Sequence, residues 1–230
     1  METTSSFFDQ SYDPHVRGWM HTPHVARGDA LILTHGAGGN CAAPLLVALA
    51  EISCVHGYTV LRCDLPFRQD RPAGPPFPGN AERDRVGLRN AVVAIGKQVS
   101  GKVFLGGHSY GGRQSTILCA AEPVDRVSGL LLLSYPLHPP RKPDQLRIQH
   151  LPNLRTPSLF VHGTRDPFGS IEEIKKALHL VPARNELIEI EGIGHDLGFK
   201  GKSQTRDLPE RIFAAFEDFF QNLSSSADVL

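Results

Sequence analysis

The sequence holds no surplus of either charge: 24 Lys and Arg stand against 24 Asp and Glu, a formal net charge of zero with His neutral. No net field draws such a chain onto nucleic acid or an anionic membrane, so a small-molecule substrate is the expected partner. No run of 18 apolar residues occurs, which excludes a membrane-spanning helix on length. Residues 1–13 lack the basic start, the apolar run and the small-residue cleavage site of a secretory signal, so no export is expected. Cysteine is scarce. Cys41, Cys54, Cys63 and Cys119 are scattered without CxxC spacing and read as buried thiols of a reducing, cytoplasmic compartment. The scattered His and Cys residues show no zinc spacing, and the chemistry below requires neither a metal nor an organic cofactor. No internal repeat is present. With 230 residues the chain can cover one core, so a single domain over 1–230 is expected, with 1–29 as an N-terminal edge region and 224–230 as a frayed tail.

What the chain does contain is an alternation of short β-rich runs with segments of helical period. Residues 30–35 (ALILTH), 59–64 (TVLRCD), 102–108 (KVFLGGH), 127–135 (VSGLLLLSY), 158–162 (SLFVH) and 186–191 (ELIEIE) read as strands, and their near-continuous apolar character suits burial on both faces. Residues 43–56, 81–99, 111–121, 170–180 and 208–223 read as helices. The last carries an apolar stripe of Ile212, Phe213, Phe216, Phe219, Phe220 and Leu223, and the fourth opens with a Ser170 and Glu173 capping box. This order predicts an α/β fold, a mostly parallel sheet with helices on both faces. Residues 15–20 could add one or two antiparallel edge strands. The proline- and glycine-rich stretches 66–79 and 135–156 read as surface connections.

Gly107-His108-Ser109-Tyr110-Gly111 has the form G-x-S-x-G, with a strand running into Ser109 and a helix starting near Gly111. A serine held on such a strained turn projects its hydroxyl at the carboxyl edge of the sheet, and the glycines are there because a Cβ would strike the neighbouring strand or helix. The plainer readings are a glycine-rich turn with Ser109 as a helix N-cap, or a phosphate loop; neither a P-loop lysine nor G-x-G-x-x-G follows the strand.

A serine is inert until a base takes its proton, which calls for a histidine later in the chain and an acid between the two. Asp166, in His162-Gly163-Thr164-Arg165-Asp166-Pro167, and His195, in Glu191-Gly192-Ile193-Gly194-His195, each follow a predicted strand. Three residues from three such carboxyl ends can meet. Read singly, Asp166 is equally a turn residue and His195 a solvated loop histidine. Asp196 is the weaker alternative acid, since its adjacency to His195 points the two side chains apart. His35-Gly36-Ala37-Gly38-Gly39 follows the first clear strand, where a backbone N–H can face developing negative charge; Ala37 and Tyr110 are the candidate oxyanion-hole donors. A tight turn that merely reverses the chain is the alternative there, and His35 is read as its brace.

The phrases HGAGG, DLPF at 64–67, GGHSYGGR at 106–113, HGTRDPF and GIGH resemble the α/β-hydrolase superfamily over almost the whole chain from Ala30. Within it, the GGR after the elbow and the phrase YPLHPP at 135–140 are similar to a small dienelactone-hydrolase-like group. Dienelactone hydrolases themselves place cysteine where this chain has Ser109, so lactone specificity does not carry over. The resemblance implies an α/β-hydrolase fold and acyl transfer to water: Ser109 attacks a small ester or thioester, His195 moves the proton and Asp166 holds the imidazole. The group is also similar to hydrolase-like domains of larger eukaryotic complexes, which makes a catalytically silent interaction domain the second hypothesis.

The connection 135–156, 22 residues with five prolines, is too short for a helical cap domain. Loops 66–79 and 136–143 are therefore expected to shape a shallow acyl pocket. Arg113, Phe67 and His138 are the candidate substrate contacts. Arg68, Arg71, Arg113, Arg141 and Lys142 fall in or near the predicted edge loops, either as solvated surface charge or as a cradle for a substrate carboxylate.

Overall fold

A computed structural model describes residues 1–122, 124–199 and 207–227. One eight-stranded sheet runs through it, formed by β1 (Thr3–Asp9), β2 (Val16–Thr22), β3 (Ala30–Thr34), β4 (Thr59–Cys63), β5 (Val103–His108), β6 (Val127–Leu133), β7 (Ser158–Gly163) and β8 (Asn185–Ile190). The spatial order is β1-β2-β4-β3-β5-β6-β7-β8. From β4 to β8 every neighbouring pair is parallel, and β1 and β2 add antiparallel at one edge.

Alternation along the strands divides the core. In β3, Leu31 and Leu33 face one side and Ile32 the other. Leu31 and Leu33, with Val60, Phe104 and Leu131, pack under α1 (Pro44–Val55) and α6 (Leu208–Ala227). Ile32, Leu61, Leu105 and Leu130 pack under α3 (Asn80–Gly96) and α4 (Tyr110–Ala121). Helices thus cover both faces, as the alternating pattern requires. The stripe of α6 is buried from Ile212 to Phe220, and a Cβ on Gly129 would enter the Phe220 ring, so the bare backbone of β6 is what admits that phenylalanine. The capping box of α5 (Ile171–Leu178) forms: Ser170 N donates to Glu173 Oε2 at 2.8 Å and Glu173 N to Ser170 Oγ at 3.3 Å.

Three elements differ from the expectation. β1 pairs with β2 through the polar stretch Thr3–Asp9, whose mostly exposed face gives no apolar alternation to read. Pro66–Asp70, expected as a surface connection, is a short buried helix, α2, because Pro at its first position presets the helical φ and Phe67 is buried. α6 extends to Ala227, so the tail expected from 224 starts inside a helix; residues 228–230 and the Leu223 side chain lie outside the described residues. The long connection 135–156 contains only the 3-10 turn Leu151–Asn153, and among the described residues no cap domain stands over the sheet.

All four cysteines are free and buried, and burial pushes the Cys41 and Cys119 thiols up to about 12, which keeps them protonated. Among the described residues no helix is long and apolar enough to cross a membrane.

Buried His21 and half-buried His150 make the fold sensitive to acid. Burial first, then the Arg62 charge, holds His21 at about 4, and burial with the Arg113 charge does the same to His150, against an ordinary value of 6.5. The native state therefore refuses protons that the unfolded chain accepts, so stability is complete above about pH 6.5 and falls as pH drops towards 4. Thermal denaturation across that window should show Tm declining with pH, and a His21→Gln/His150→Gln variant should decline less steeply. An unchanged slope would refute the assignment.

Candidate active site

β5 ends at His108 and α4 begins at Tyr110, leaving Ser109 as the whole of the connection. Its backbone sits at φ 51°, ψ −112°, a region that costs a non-glycine residue about 1–3 kcal/mol. Ser109 N donates to Leu133 O at 2.8 Å, and Arg113 N donates to Ser109 O at 3.0 Å, tying the turn to β6 and to the helix. The glycines make the turn possible. A Cβ on Gly107 would lie 2.8 Å from Gly112 N, and one on Gly111 would lie 2.5 Å from the Thr34 methyl and 2.7 Å from His35 O.

Asp166 and His195 arrive from the carboxyl ends of β7 and β8. Asp166 Oδ2 lies 2.7 Å from His195 Nδ1, and His195 Nε2 lies 2.8 Å from Ser109 Oγ. A carboxylate only accepts, so Nδ1 carries the imidazole proton and the Nε2 lone pair faces the serine hydroxyl. The Asp166 side chain is buried, and its other oxygen accepts from Phe168 N at 2.8 Å. Phe168 also stacks on the imidazole, with ring centroids 4.1 Å apart. The loop bearing His195 is pinned to the β7 loop by Gly192 N to Thr164 Oγ1 at 2.8 Å and Arg165 N to Ile193 O at 2.9 Å. His108 Nε2 donates to His195 O at 2.7 Å, so the residue before the serine also fixes the histidine.

Beside this chain of bonds lies a cavity of about 430 Å³, lined by Ser109, His195, Ala37, Tyr110 and Arg113 among others. That is a volume suited to a small molecule. Ala37, in the turn after β3, and Tyr110, at the start of α4, both line it. The His35–Gly39 turn is braced from beneath. His35 is neutral by burial; its Nδ1–H donates to Gly36 O at 2.9 Å, and its Nε2 accepts from Leu65 N at 3.1 Å.

The sequence missed Arg68, whose place in a proline-rich stretch suggests surface charge. Its guanidinium is buried and donates to Ala37 O at 3.0 Å, Gly39 O at 2.7 Å, Gly74 O at 2.8 Å and Arg71 O at 3.1 Å. One side chain thereby ties α2 to the turn that presents Ala37. Arg147 and Phe199 also reach the cavity without any motif to announce them, as does Phe168, which closes the phrase HGTRDPF but has no role that the sequence alone assigns.

Two expected substrate contacts lie elsewhere. Phe67 is buried between His35 and Tyr110, with edge-on ring contacts at 5.5 and 5.7 Å, because α2 turns it into the core. His138 is buried too: its Nδ1 bonds Pro139 O at 2.8 Å, and its backbone N donates to Phe168 O at 3.0 Å, so it supports Phe168 from behind. Likewise loop 66–79 does not line the cavity, since α2 packs it beneath the His35–Gly39 turn; Ala43 to Leu46 and Phe199 form the wall instead. Arg113 does reach it. The Tyr110 hydroxyl donates to Asp84 Oδ2 at 2.7 Å, which draws its side chain towards α3. Among the described residues no three His, Cys, Asp or Glu side chains cluster as a metal would need.

A mostly parallel sheet with helices on both faces, carrying a strand–serine–helix turn at its carboxyl edge, defines an α/β hydrolase. The chain belongs to the family whose model is described as the alpha/beta hydrolase domain, which it matches over residues 27–221. Solved structures agree on the fold. Dienelactone hydrolase from Anabaena variabilis is 20% identical with a TM-score of 0.73, over 96% of this chain and 98% of that one. Est1E from Butyrivibrio proteoclasticus is 17% identical with a TM-score of 0.70, over 94% and 99%. XC6422 from Xanthomonas campestris, described as a serine hydrolase without lid, is 15% identical with a TM-score of 0.70, over 93% and 94%.

The bracing by Arg68 has a measurable consequence. Arg68→Met leaves the half-buried carbonyl oxygens of Ala37, Gly39 and Arg71 and the exposed one of Gly74 without their shared donor, at a cost of about 1 kcal/mol or more. The variant should melt lower and exchange the amides of residues 36–39 faster, while Arg68→Lys, which keeps one cationic donor, should recover part of both. Hydrogen exchange at 36–39 equal to that of the unaltered protein would contradict this account of the turn.

Proposed function

We propose that the chain is a single-domain serine hydrolase that cleaves a small ester or thioester through an acyl-enzyme. The single observation that carries the reading is the bond sequence Asp166 Oδ2, His195 Nδ1, His195 Nε2, Ser109 Oγ, with both contacts within 2.8 Å. In this reading Ser109 Oγ attacks the acyl carbonyl as His195 Nε2 takes its proton, and the imidazolium returns that proton to the leaving oxygen or sulfur. Water, deprotonated by the same imidazole, then releases the acid. Asp166 holds the imidazole in the required tautomer and stabilises its charge. The Ala37 and Tyr110 amides are assigned to the oxyanion, where preorganised donors are each worth about 3–4 kcal/mol to the transition state. Support for this pairing comes from both residues lining the cavity with Ser109, and from the start of α4, whose dipole favours negative charge there.

Kinetics on 4-nitrophenyl esters test the assignment. Ser109→Ala and His195→Ala should each remove nearly all turnover, and Asp166→Asn up to about ten-thousandfold of it. The losses should not add, because the three groups act as one unit. Turnover by Ser109→Ala at the original rate, or a Ser109→Ala/His195→Ala protein far worse than either single variant, would overturn the assignment.

A further inference from the structure

Charge inside the cavity is uneven. Arg113 and Arg147 both line it, together with Ser109. Elsewhere in the fold, arginines meet acids: Arg17 pairs with Asp64, Arg27 with Asp29 and Glu217, Arg83 with Asp70, and Arg89 with Glu122. Neither Arg113 nor Arg147 has an acid within ion-pairing distance among the described residues. Among the described residues Arg113 Nε is buried with no hydrogen-bond partner, and the Arg147 guanidinium donates to the Pro136 carbonyl at 3.2 Å. The acid on the cavity wall, Asp196, accepts from Gly198 N at 3.1 Å.

Such an arrangement opposes folding. Burial, and next the Arg113 charge, hold the Arg147 guanidinium below its ordinary value, and the same charge helps keep the neighbouring His150 neutral. Two guanidinium groups near one another on a cavity wall, with the Tyr135 hydroxyl beside them and the Nε donor of Arg113 unused, are complementary to an anion. Arg113 lies one helical turn from the elbow serine, joined to it by the bond from its own amide to Ser109 O. An anion held there lies within a few carbons of the reacting carbonyl.

We propose that Arg113 and Arg147 form an anion subsite beside Ser109, and that the substrate is a small ester carrying a free carboxylate. This rests on the reading of Ser109 as nucleophile, and it adds the substrate class. The planar guanidinium fork fits a carboxylate through paired N–H donors, while the apolar wall around Leu45, Leu46 and Phe199 accepts the carbon chain.

A matched pair of substrates separates charge from chain length: mono-4-nitrophenyl glutarate and 4-nitrophenyl valerate, both with five-carbon acyl groups. For the unaltered protein kcat/KM should favour the glutarate by about tenfold to a hundredfold, the range for hydrogen bonds to an ionised group. Arg113→Met and Arg147→Met should bring that ratio to about one. Arg113→Lys, which keeps the charge without the fork, should fall between and guards against a folding defect. Calorimetric titration of free glutarate into Ser109→Ala protein gives a reading independent of turnover. Saturable binding there, lost on adding Arg113→Met, supports the subsite even if neither ester is cleaved, in which case the hydrolase reading alone fails. Equal kcat/KM for the two esters with no glutarate binding would overturn the subsite while leaving the hydrolase reading standing. Inorganic phosphate is the competing anion: binding of phosphate without glutarate would overturn the carboxylate assignment.

Discussion

Everything at the carboxyl edge of the sheet depends on one residue being held where its backbone does not wish to be. Ser109 joins β5 to α4 with no intervening loop, at a positive φ that costs a serine about 1–3 kcal/mol. Packing supplies what holds it. Gly107 and Gly111 let Thr34, Gly112 and the end of β3 close in to contact distance, and Leu133 O takes the Ser109 amide proton. A relaxed turn would swing the hydroxyl away from the edge and separate it from an imidazole held by Asp166 and by stacked Phe168, and would disturb the His108 bond to the His195 carbonyl as well. The geometry is the product of two rigid supports meeting, one from β5 and one from β7 and β8.

The elements that carry these supports were legible because they obey local rules. Apolar runs such as ALILT and VFLGGH have few alternatives to buried parallel strands, and Ser170 with Glu173 announces a helix start that the backbone adopts. That Ser109, Asp166 and His195 come together was legible for a different reason: each follows a strand, and carboxyl ends of parallel strands share one edge. What escaped was set by tertiary burial. Arg68 reads as surface charge until α2 folds it beneath the His35–Gly39 turn, and Phe67 reads as a substrate contact until the same helix points it into the core. Strand β1 has no apolar period because its faces are mostly exposed, so only pairing with β2 defines it.

The cavity belongs to the same logic of supports placed before a ligand arrives. Its floor is the elbow, one wall is the braced turn bearing Ala37, another is Phe168 over His195, and the connection after β6 contributes Pro136 and Arg147. Because that connection carries only a 3-10 turn, no cap domain covers the opening among the described residues, and side chains at the sheet edge shape what fits. Selectivity must then reside in a few polar groups on an otherwise apolar wall. The most conspicuous of these are Arg113 and Arg147, which have no acid within ion-pairing distance among the described residues.

The central claim is that Ser109 is a nucleophile activated by His195, and covalent labelling addresses it without knowledge of the substrate. A fluorophosphonate reacts only with a serine whose proton is being removed, so intact-protein mass spectrometry reads activation directly. The account predicts one adduct per chain, mapped to the peptide containing Ser109, absent from Ser109→Ala and strongly slowed in His195→Ala. An unlabelled protein under conditions where it is folded, or an adduct that persists in Ser109→Ala, would contradict it.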